Sequence, residues 1–366
     1  MPSPGATRLS IGDPMPRILL AQATGGAFDS WHQANAGQAH VYWLDAATAL
    51  AASRELPPAL TACEADWHVV AEAPPPTELG NLPWLIDPRG ELARAVGVSG
   101  PAAVIVDAAG RLAAVMKEAN GQDAVSVVER LHAASAPATV QLQAPVLLVD
   151  RVLEPELCAR LIAHWQKGDK RTDGVASTAG AANADSDIKR RSDVPVDDAA
   201  LYGALRDALV RRVMPAILQA FQTRIVQIEL PRIGCYDAES GGWFRRHRDN
   251  TTPYTAHRQF AISLNLNPTA EYEGGQVRFP EFGCQRYQPQ AGAALVFSCS
   301  LLHEAVPVTR GRRFGVFTFL HDERHDAQYR RMLAEQQSKG MSGIRMRCMA
   351  FLMPFLDWAE VAILLA

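Results

Sequence analysis

Residues 225–236 read IVQIELPRIGCY, and from there the chain changes texture. RQFAISLNLN follows at 258–267, GGQVRFPEF at 274–282, GAALVFS at 292–298 and RFGVFTFL at 313–320. Each run is short and rich in β-branched and aromatic residues, and Gly or Pro punctuates the gaps. That pattern predicts strands with alternating faces, closed into a sandwich or jelly roll. Upstream, the spacing predicts a helix over 155–166 (PELCARLIAHWQ) and another over 199–222, with a break at Pro215. Residues 174–187 (GVASTAGAANADSD) are small and polar and predict a loop.

The first third reads differently. HVYWL at 40–44, WHVVA at 67–71 and AAVIV at 102–106 predict short buried strands, and 111–116 predicts one more after a turn at Asp107-Ala-Ala-Gly110. In 123–134 (DAVSVVERLHAA), Val125, Val128 and Leu131 fall on one helical face. Strands alternating with helices predict a small α/β domain over 1–133. Residues 134–144 (ASAPATVQLQA) predict a linker, 145–335 the β-rich domain, and 336–366 an apolar tail interrupted by Pro354, Asp357 and Glu360. The tail suits a packed helix, a contact with another chain or a membrane surface.

A chain of 366 residues suits two cores better than one. The net charge of −3 gives no electrostatic reason to expect a nucleic-acid partner. The opening MPSPGATRLSIGDP has no basic and apolar regions of the secretory kind, and no run is long and apolar enough to span a bilayer. Six scattered cysteines without a CxxC pair argue against a disulfide framework or zinc module. A cytoplasmic setting is therefore expected.

The densest chemical signal lies among the strands. His247-Arg-Asp249 puts two ligand-type side chains at i and i+2, which face the same way in an extended strand. His303 follows a buried strand, FSCSLLH. Two histidines and a carboxylate on one face of an octahedron make the facial triad of Fe(II) oxygenases, with three positions left open. Ten residues further, Arg313 opens a strand entering the same core. A buried guanidinium needs an anion, and a carboxylate held bidentately meets that need. Arg310 and Arg312 read as loop or outward-facing charges. His257 reads as lining the site's mouth or as solvated, and His321 and His325 as surface residues.

These residues resemble the prolyl 4-hydroxylase type of 2-oxoglutarate/Fe(II) dioxygenase over roughly 145–322. The resemblance is carried by His247-x-Asp249, Glu273-Gly274-Gly275 with Phe279-Pro280, Pro289-x-x-Gly292-x-x-Leu295-x-Phe297, and His303 with Pro307-Val308 and Gly311-x-Arg313. It implies a double-stranded β-helix with flanking helices. It implies His247, Asp249 and His303 as metal ligands, Arg313 as the clamp on the distal carboxylate of 2-oxoglutarate, and Tyr236 as a cosubstrate partner. Fe(II), 2-oxoglutarate and O2 would then serve the reaction, with ascorbate as reductant. The reaction expected is hydroxylation, since related halogenases lack the carboxylate at the position of Asp249. The substrate, a protein, a peptide or a small molecule, stays open, as does a homodimer.

Residues 8–133 resemble, more weakly, the peroxiredoxin branch of the thioredoxin fold. Gly12-Asp13-Pro14, Leu85-Ile86-Asp87-Pro88 with Gly90, and Pro101-Ala-Ala-Val-Ile-Val-Asp107 carry this resemblance. The segment after HVYWL holds no cysteine, and Cys63 lies at the wrong end of the helix for a nucleophile. The resemblance implies a thioredoxin-like domain without peroxidase activity, with a cis proline at Pro101, acting as a scaffold or a docking module. Two other readings of the whole chain remain: a thiol peroxidase using Cys63, and a non-catalytic adaptor with a vestigial metal site.

Overall fold

The computed structural model describes residues 8–338 apart from 33, 53–55, 77–81, 135–138, 140–141, 171–174, 177–181 and 184–187. The apolar tail from 339 on, and most of the linker and of the Ala/Ser/Gly-rich loop, lie outside the described residues. The chain divides into two compact units between Thr139 and Val140. Among the described residues no helix is long and apolar enough to cross a membrane.

The first unit is a seven-stranded sheet. Its strands are β1 (Leu19–Gln22), β2 (Ala27–Asp29), β3 (Ala39–Trp43), β4 (Ala65–Ala71), β5 (Trp84–Ile86), β6 (Ala102–Val106) and β7 (Leu112–Lys117). Their order is β2-β1-β5-β4-β3-β6-β7. The β3–β4 and β4–β5 pairs are parallel and the rest antiparallel. Strand alternation sorts β3: Val41 and Trp43 pack on one face with Leu60, Val125 and Val128, while Tyr42 packs on the other with Phe28, Leu92 and Val96. Helices α1 (Ala46–Ala52), α2 (Leu56–Ala62) and α4 (Gly121–Ala134) contribute to the first face, and α3 (Glu91–Val96) to the second. The Gly100–Pro101 bond is trans, contrary to expectation; Gly100, at φ +91°, makes the turn there.

The second unit opens with β8 (Val146–Val149) and α5 (Pro155–Lys167). A small ribbon, β9 (Val175–Ala176) with β10 (Ala182–Asn183), occupies part of the stretch expected to be a loop. Then come β11 (Lys189–Arg190), β12 (Ser192–Pro195), α6 (Ala199–Arg212) and α7 (Met214–Phe221). The Asp198 carboxylate accepts from the Leu201 backbone N–H and caps α6. The predicted helix breaks at Val213, and Pro215 sits in the first turn of α7, where its missing N–H costs nothing.

The strand-rich remainder holds β13 (Ile225–Ile228), β14 (Arg232–Asp237), β15 (Trp243–His247), β16 (Phe260–Asn265), β17 (Tyr272–Gly274) and β18 (Val277–Arg278). It continues through β19 (Arg286–Tyr287), β20 (Ala294–Ser298), β21 (His303–Ala305) and β22 (Val308–Asp322), and closes with α8 (Glu323–Ser338). One sheet runs β12-β14-β22-β16-β20-β8, with β13 and β17 also paired to β22; a second runs β11-β15-β21-β18-β19. All these pairs are antiparallel, as the predicted jelly roll requires. Ile233, Cys235, Ile262, Leu264, Val296 and Val316 face the helices, packing with Leu161, Leu205 and Ile217. The alternate residues face the other way: Ala261, Leu295 and Phe297 pack with Val277 and Phe279 of the second sheet. The chemistry sits between these two sheets.

Candidate metal centre and its anion pocket

β15 and β21 are neighbours, and their register sets His247 opposite His303. The two imidazole centroids lie 4.2 Å apart. Asp249 follows just beyond the end of β15, where its N–H donates to the carbonyl of Cys299. Its carboxylate reaches both rings, with Oδ1 3.4 Å from His247 Nε2 and Oδ2 3.4 Å from His303 Nε2. One ligand atom from each of the three lies within 4.8 Å of the others. The i, i+2 spacing and the distant His303 thus meet as the sequence led one to expect.

The tautomers suit a metal. His247 Nδ1 lies 2.7 Å from the carbonyl oxygen of Arg245, and His303 Nδ1 lies 3.0 Å from that of Leu301. A carbonyl only accepts, so each Nδ1 carries a proton, and each Nε2 is left turned toward Asp249. Burial pushes the His303 imidazole down to about 4, so it is neutral at pH 7. Burial alone would raise the Asp249 carboxyl, but His303 and His247 beside it outweigh burial and hold it at about 2. A carboxylate and two imidazole nitrogens are a donor set that suits a divalent transition-metal ion. Phe244 stacks on His247 at 3.6 Å between centroids and fixes that ring from the side.

Arg313 sits on the inner face of β22 and is 2% exposed. Its Nη1 donates to the Gly275 carbonyl and its Nη2 to Ser263 Oγ, at 2.6 and 2.9 Å. Among the described residues no carboxylate pairs with it. A buried cation without a counter-ion marks an anion site. Gly275 makes room for it, and Gly274 lets the Pro307 backbone come close beside it. A Cβ on Gly274 would come within 1.9 Å of the Pro307 carbonyl oxygen, and one on Gly275 within 2.9 Å of Arg313 Cδ. Tyr236 lies opposite Arg313 in the β14–β22 register, so both side chains share the inner face. Its ring centre is 5.8 Å from the Arg313 guanidinium. Arg310 and Arg312 pair outside with Glu273 and Asp237, half-exposed as expected.

Two expectations fail. His257 is 2% exposed and neither solvated nor at a mouth. Its Nε2 meets Glu229 at 2.9 Å, and Arg258 grips the same carboxylate through two donors. Burial would raise the Glu229 carboxyl, but Arg258 and His257 hold it well below its usual range. His321 is fully buried, because α8 covers the end of β22 and places Asp326 and Tyr329 over it. His325 is half-exposed, and its backbone N–H donates to the Asp322 carboxylate, which caps the start of α8.

The sequence reading also missed a charged cluster beside Tyr236. Lys189, Arg191 and Asp193 are mutually paired and nearly inaccessible to water. The run Lys189-Arg-Arg-Ser-Asp193 was the available signal, hidden at the edge of a small-residue stretch.

The second unit pairs a jelly roll with a His/Asp/His cluster and a buried arginine that has no carboxylate partner among the described residues. The family model described as 2OG-Fe(II) oxygenase superfamily matches residues 232–321, within this unit. A PKHD-type hydroxylase of Delftia acidovorans is 30% identical over 178 residues, covering 47% of this chain and 74% of the relative. A PKHD-type hydroxylase of a Synechococcus strain is 30% identical over 111 residues, covering 29% of this chain and 49% of the relative. A prolyl hydroxylase of Trichoplax adhaerens, solved with a hypoxia inducible factor peptide fragment, overlays with a TM-score of 0.42 at 16% identity. It covers 50% of this chain and 87% of that one. A Pseudomonas putida prolyl-4-hydroxylase gives 0.38 at 20% identity, covering 50% and 94%. The chain belongs to the 2OG-Fe(II) oxygenase superfamily, with PKHD-type hydroxylases among its relatives. It is a 2-oxoglutarate-dependent dioxygenase.

Proposed function

We propose that His247, Asp249 and His303 hold Fe(II), that Arg313 anchors the far carboxylate of 2-oxoglutarate with Tyr236 beside it, and that the enzyme hydroxylates a C–H bond of its substrate. The observation that carries this reading is the convergence of two imidazole Nε2 atoms and a carboxylate, with both Nδ1 protons already given to backbone carbonyls. Bound Fe(II) supplies O2 activation, coupled to the oxidative decarboxylation of 2-oxoglutarate to succinate and CO2.

The chain's own residues bind, orient and shield. His247, Asp249 and His303 would hold the ion from one side and would leave it open to further ligands. Arg313 neutralises a carboxylate in a dry pocket and fixes its direction through a planar fork already held by Gly275 and Ser263. Phe244, Phe279 and Phe297 wall the histidines with apolar rings and limit water.

The test is succinate release from 2-oxoglutarate by protein supplied with Fe(II) and ascorbate, alone and with panels of peptides and small metabolites. Substrate-stimulated release, lost in His303→Ala, is expected. No release by the wild type, or equal release by His303→Ala, would sink the proposal. The panels decide between peptide and metabolite.

The first unit is assigned, on the same footing, as a thioredoxin-like scaffold without peroxidase chemistry. Its sheet order, with a parallel core and antiparallel β6 and β7, supports this reading. So does Cys63, placed after α2 and just before β4, away from any helix start. Hydroperoxide consumption abolished by Cys63→Ser would overturn it.

A further inference from the structure

Asp193 of β12 lies opposite Gly234 of β14. A Cβ on Gly234 would fall 2.7 Å from the Arg191 side chain and from Asp193 Oδ1. The missing side chain makes room for an ion cluster lying over the strand. In it, Asp193 Oδ1 accepts from Arg191 Nε at 2.5 Å, and Oδ2 accepts from Arg191 Nη2 at 3.0 Å and from Lys189 Nζ at 2.7 Å. Two cations share one carboxylate, so the cluster keeps a positive charge.

Arg191 has one more fixed contact. Its Nη1 donates to the Tyr236 hydroxyl at 3.3 Å. Its guanidinium lies 5.5 Å from the Tyr236 ring centre and 4.0 Å from that of Phe317. Arg313 lies 5.8 and 5.9 Å from the same two centres. Tyr236 thus stands beside both guanidiniums, one with a carboxylate partner and one without.

A guanidinium only donates, so the contact occupies a lone pair of the phenol oxygen and leaves the phenol proton over. Among the described residues no acceptor takes that proton, although Tyr236 is 2% exposed. A buried O–H turned away from a cation, next to an anion-binding arginine, is set to donate to an anion. The adjacent charge polarises the hydroxyl and strengthens the donation.

We infer that Arg191 is a positioning residue: it fixes the Tyr236 hydroxyl as a hydrogen-bond donor toward 2-oxoglutarate held by Arg313. This rests on the assignment of the Arg313 pocket to 2-oxoglutarate made above. Lys189 and Asp193 act one step further back. Asp193 sets the angle of the guanidinium, and Lys189 balances the carboxylate.

The test measures the dissociation constant of 2-oxoglutarate without turnover, by anaerobic calorimetry on Mn(II)-loaded full-length protein. Tyr236→Phe and Arg191→Gln are each expected to weaken binding about tenfold, the worth of one charge-assisted hydrogen bond. Their combination is expected to weaken it about tenfold as well, because both remove the same donation. Arg191→Gln leaves Asp193 paired with Lys189, so no buried carboxylate is orphaned. Arg191→Lys keeps the charge as a second variant, and is expected to bind with intermediate affinity when Tyr236 is present and without further effect in Tyr236→Phe. Losses that multiply to about a hundredfold in the double variant would show two independent roles and overturn the inference. A wild-type constant in Arg191→Gln, with Tyr236→Phe weakened, would also overturn it and leave the pocket assignment standing. An unchanged constant in Tyr236→Phe removes the cosubstrate role of Tyr236, and the inference with it. An unchanged constant in Arg313→Gln removes the pocket assignment itself.

Discussion

Each unit buries a pair of histidines, and only one pair faces a carboxylate. In the first unit His40 and His68 stack at 5.6 Å between centroids, beside Tyr42 and Phe28. His40 Nε2 meets the Asn35 carbonyl at 2.7 Å, while His40 Nδ1 and His68 Nε2 have no hydrogen-bond partner among the described residues. Burial, with His40 adding to it, pushes the His68 imidazole down to about 3. In the second unit burial pushes His303 down in the same way, but both free nitrogens converge on Asp249. Imidazoles sheltered from solvent are common to the two pairs. What makes one of them a metal site is the carboxylate, and the backbone carbonyls that fix each tautomer.

The largest expected effect separates the pairs directly. Asp249→Ala or His303→Ala should weaken Mn(II) uptake by roughly a hundredfold or more and abolish succinate release. His68→Phe should leave metal uptake unchanged. Equilibrium dialysis against Mn(II) reads both, and equal losses in the two units would erase the distinction.

Next in size is the anion pocket. Arg313→Gln should weaken 2-oxoglutarate binding by about a hundredfold, near the worth of a charge-assisted bidentate pair, with metal uptake retained. Loss of metal uptake along with it would mean that Arg313 supports the triad and does not act as a separate anchor.

A smaller effect concerns acid. His68 and His303 both have folded values depressed below the unfolded value of about 6.5. Their contribution is fully present above pH about 6.5 and is lost as pH falls toward about 4 for His303 and about 3 for His68, because the unfolded chain takes up protons that the folded one refuses. Urea midpoints of metal-free protein should therefore fall across that window. In His68→Phe the fall should be shallower, and added Mn(II) should stabilise most at the upper end, where His303 is deprotonated. A midpoint flat between pH 7 and 4 would contradict the burial of both rings. The smallest effect is Cys63→Ser, expected to change stability by no more than about 0.5 kcal/mol and succinate release not at all.

The triad and its anchor could be read from the sequence because their spacing is local or their motif compact. His247 and Asp249 lie within one strand's reach, and Arg313 opens a run that only a buried strand explains. Strand alternation then says which side of that run faces inward. The Arg191–Asp193–Lys189 cluster and the Glu229–Arg258–His257 network could not be read. Each depends on which strands lie side by side, and nothing in a short window of charged residues states that. The burial of His321 is illegible for the same reason: it depends on α8, whose polar sequence, Glu323–Ser338, has little apolar face to announce it. β22 was recognised only from Arg313 to Leu320. Its opening residues, with Arg310 and Arg312, read only as loop or outward-facing charges.

β22 pairs with β13, β14, β16 and β17, and it carries Arg313 near its middle. Side chains alternate along it with a period of two, so a slip of one residue would turn Arg313 out toward the helices and bring Phe314 into the anion pocket. Alignment of this strand is therefore a chemical variable as well as a mechanical one. A chain that folds with nearly all its backbone pairs satisfied, but one step out of phase, would be compact, paired and catalytically blind.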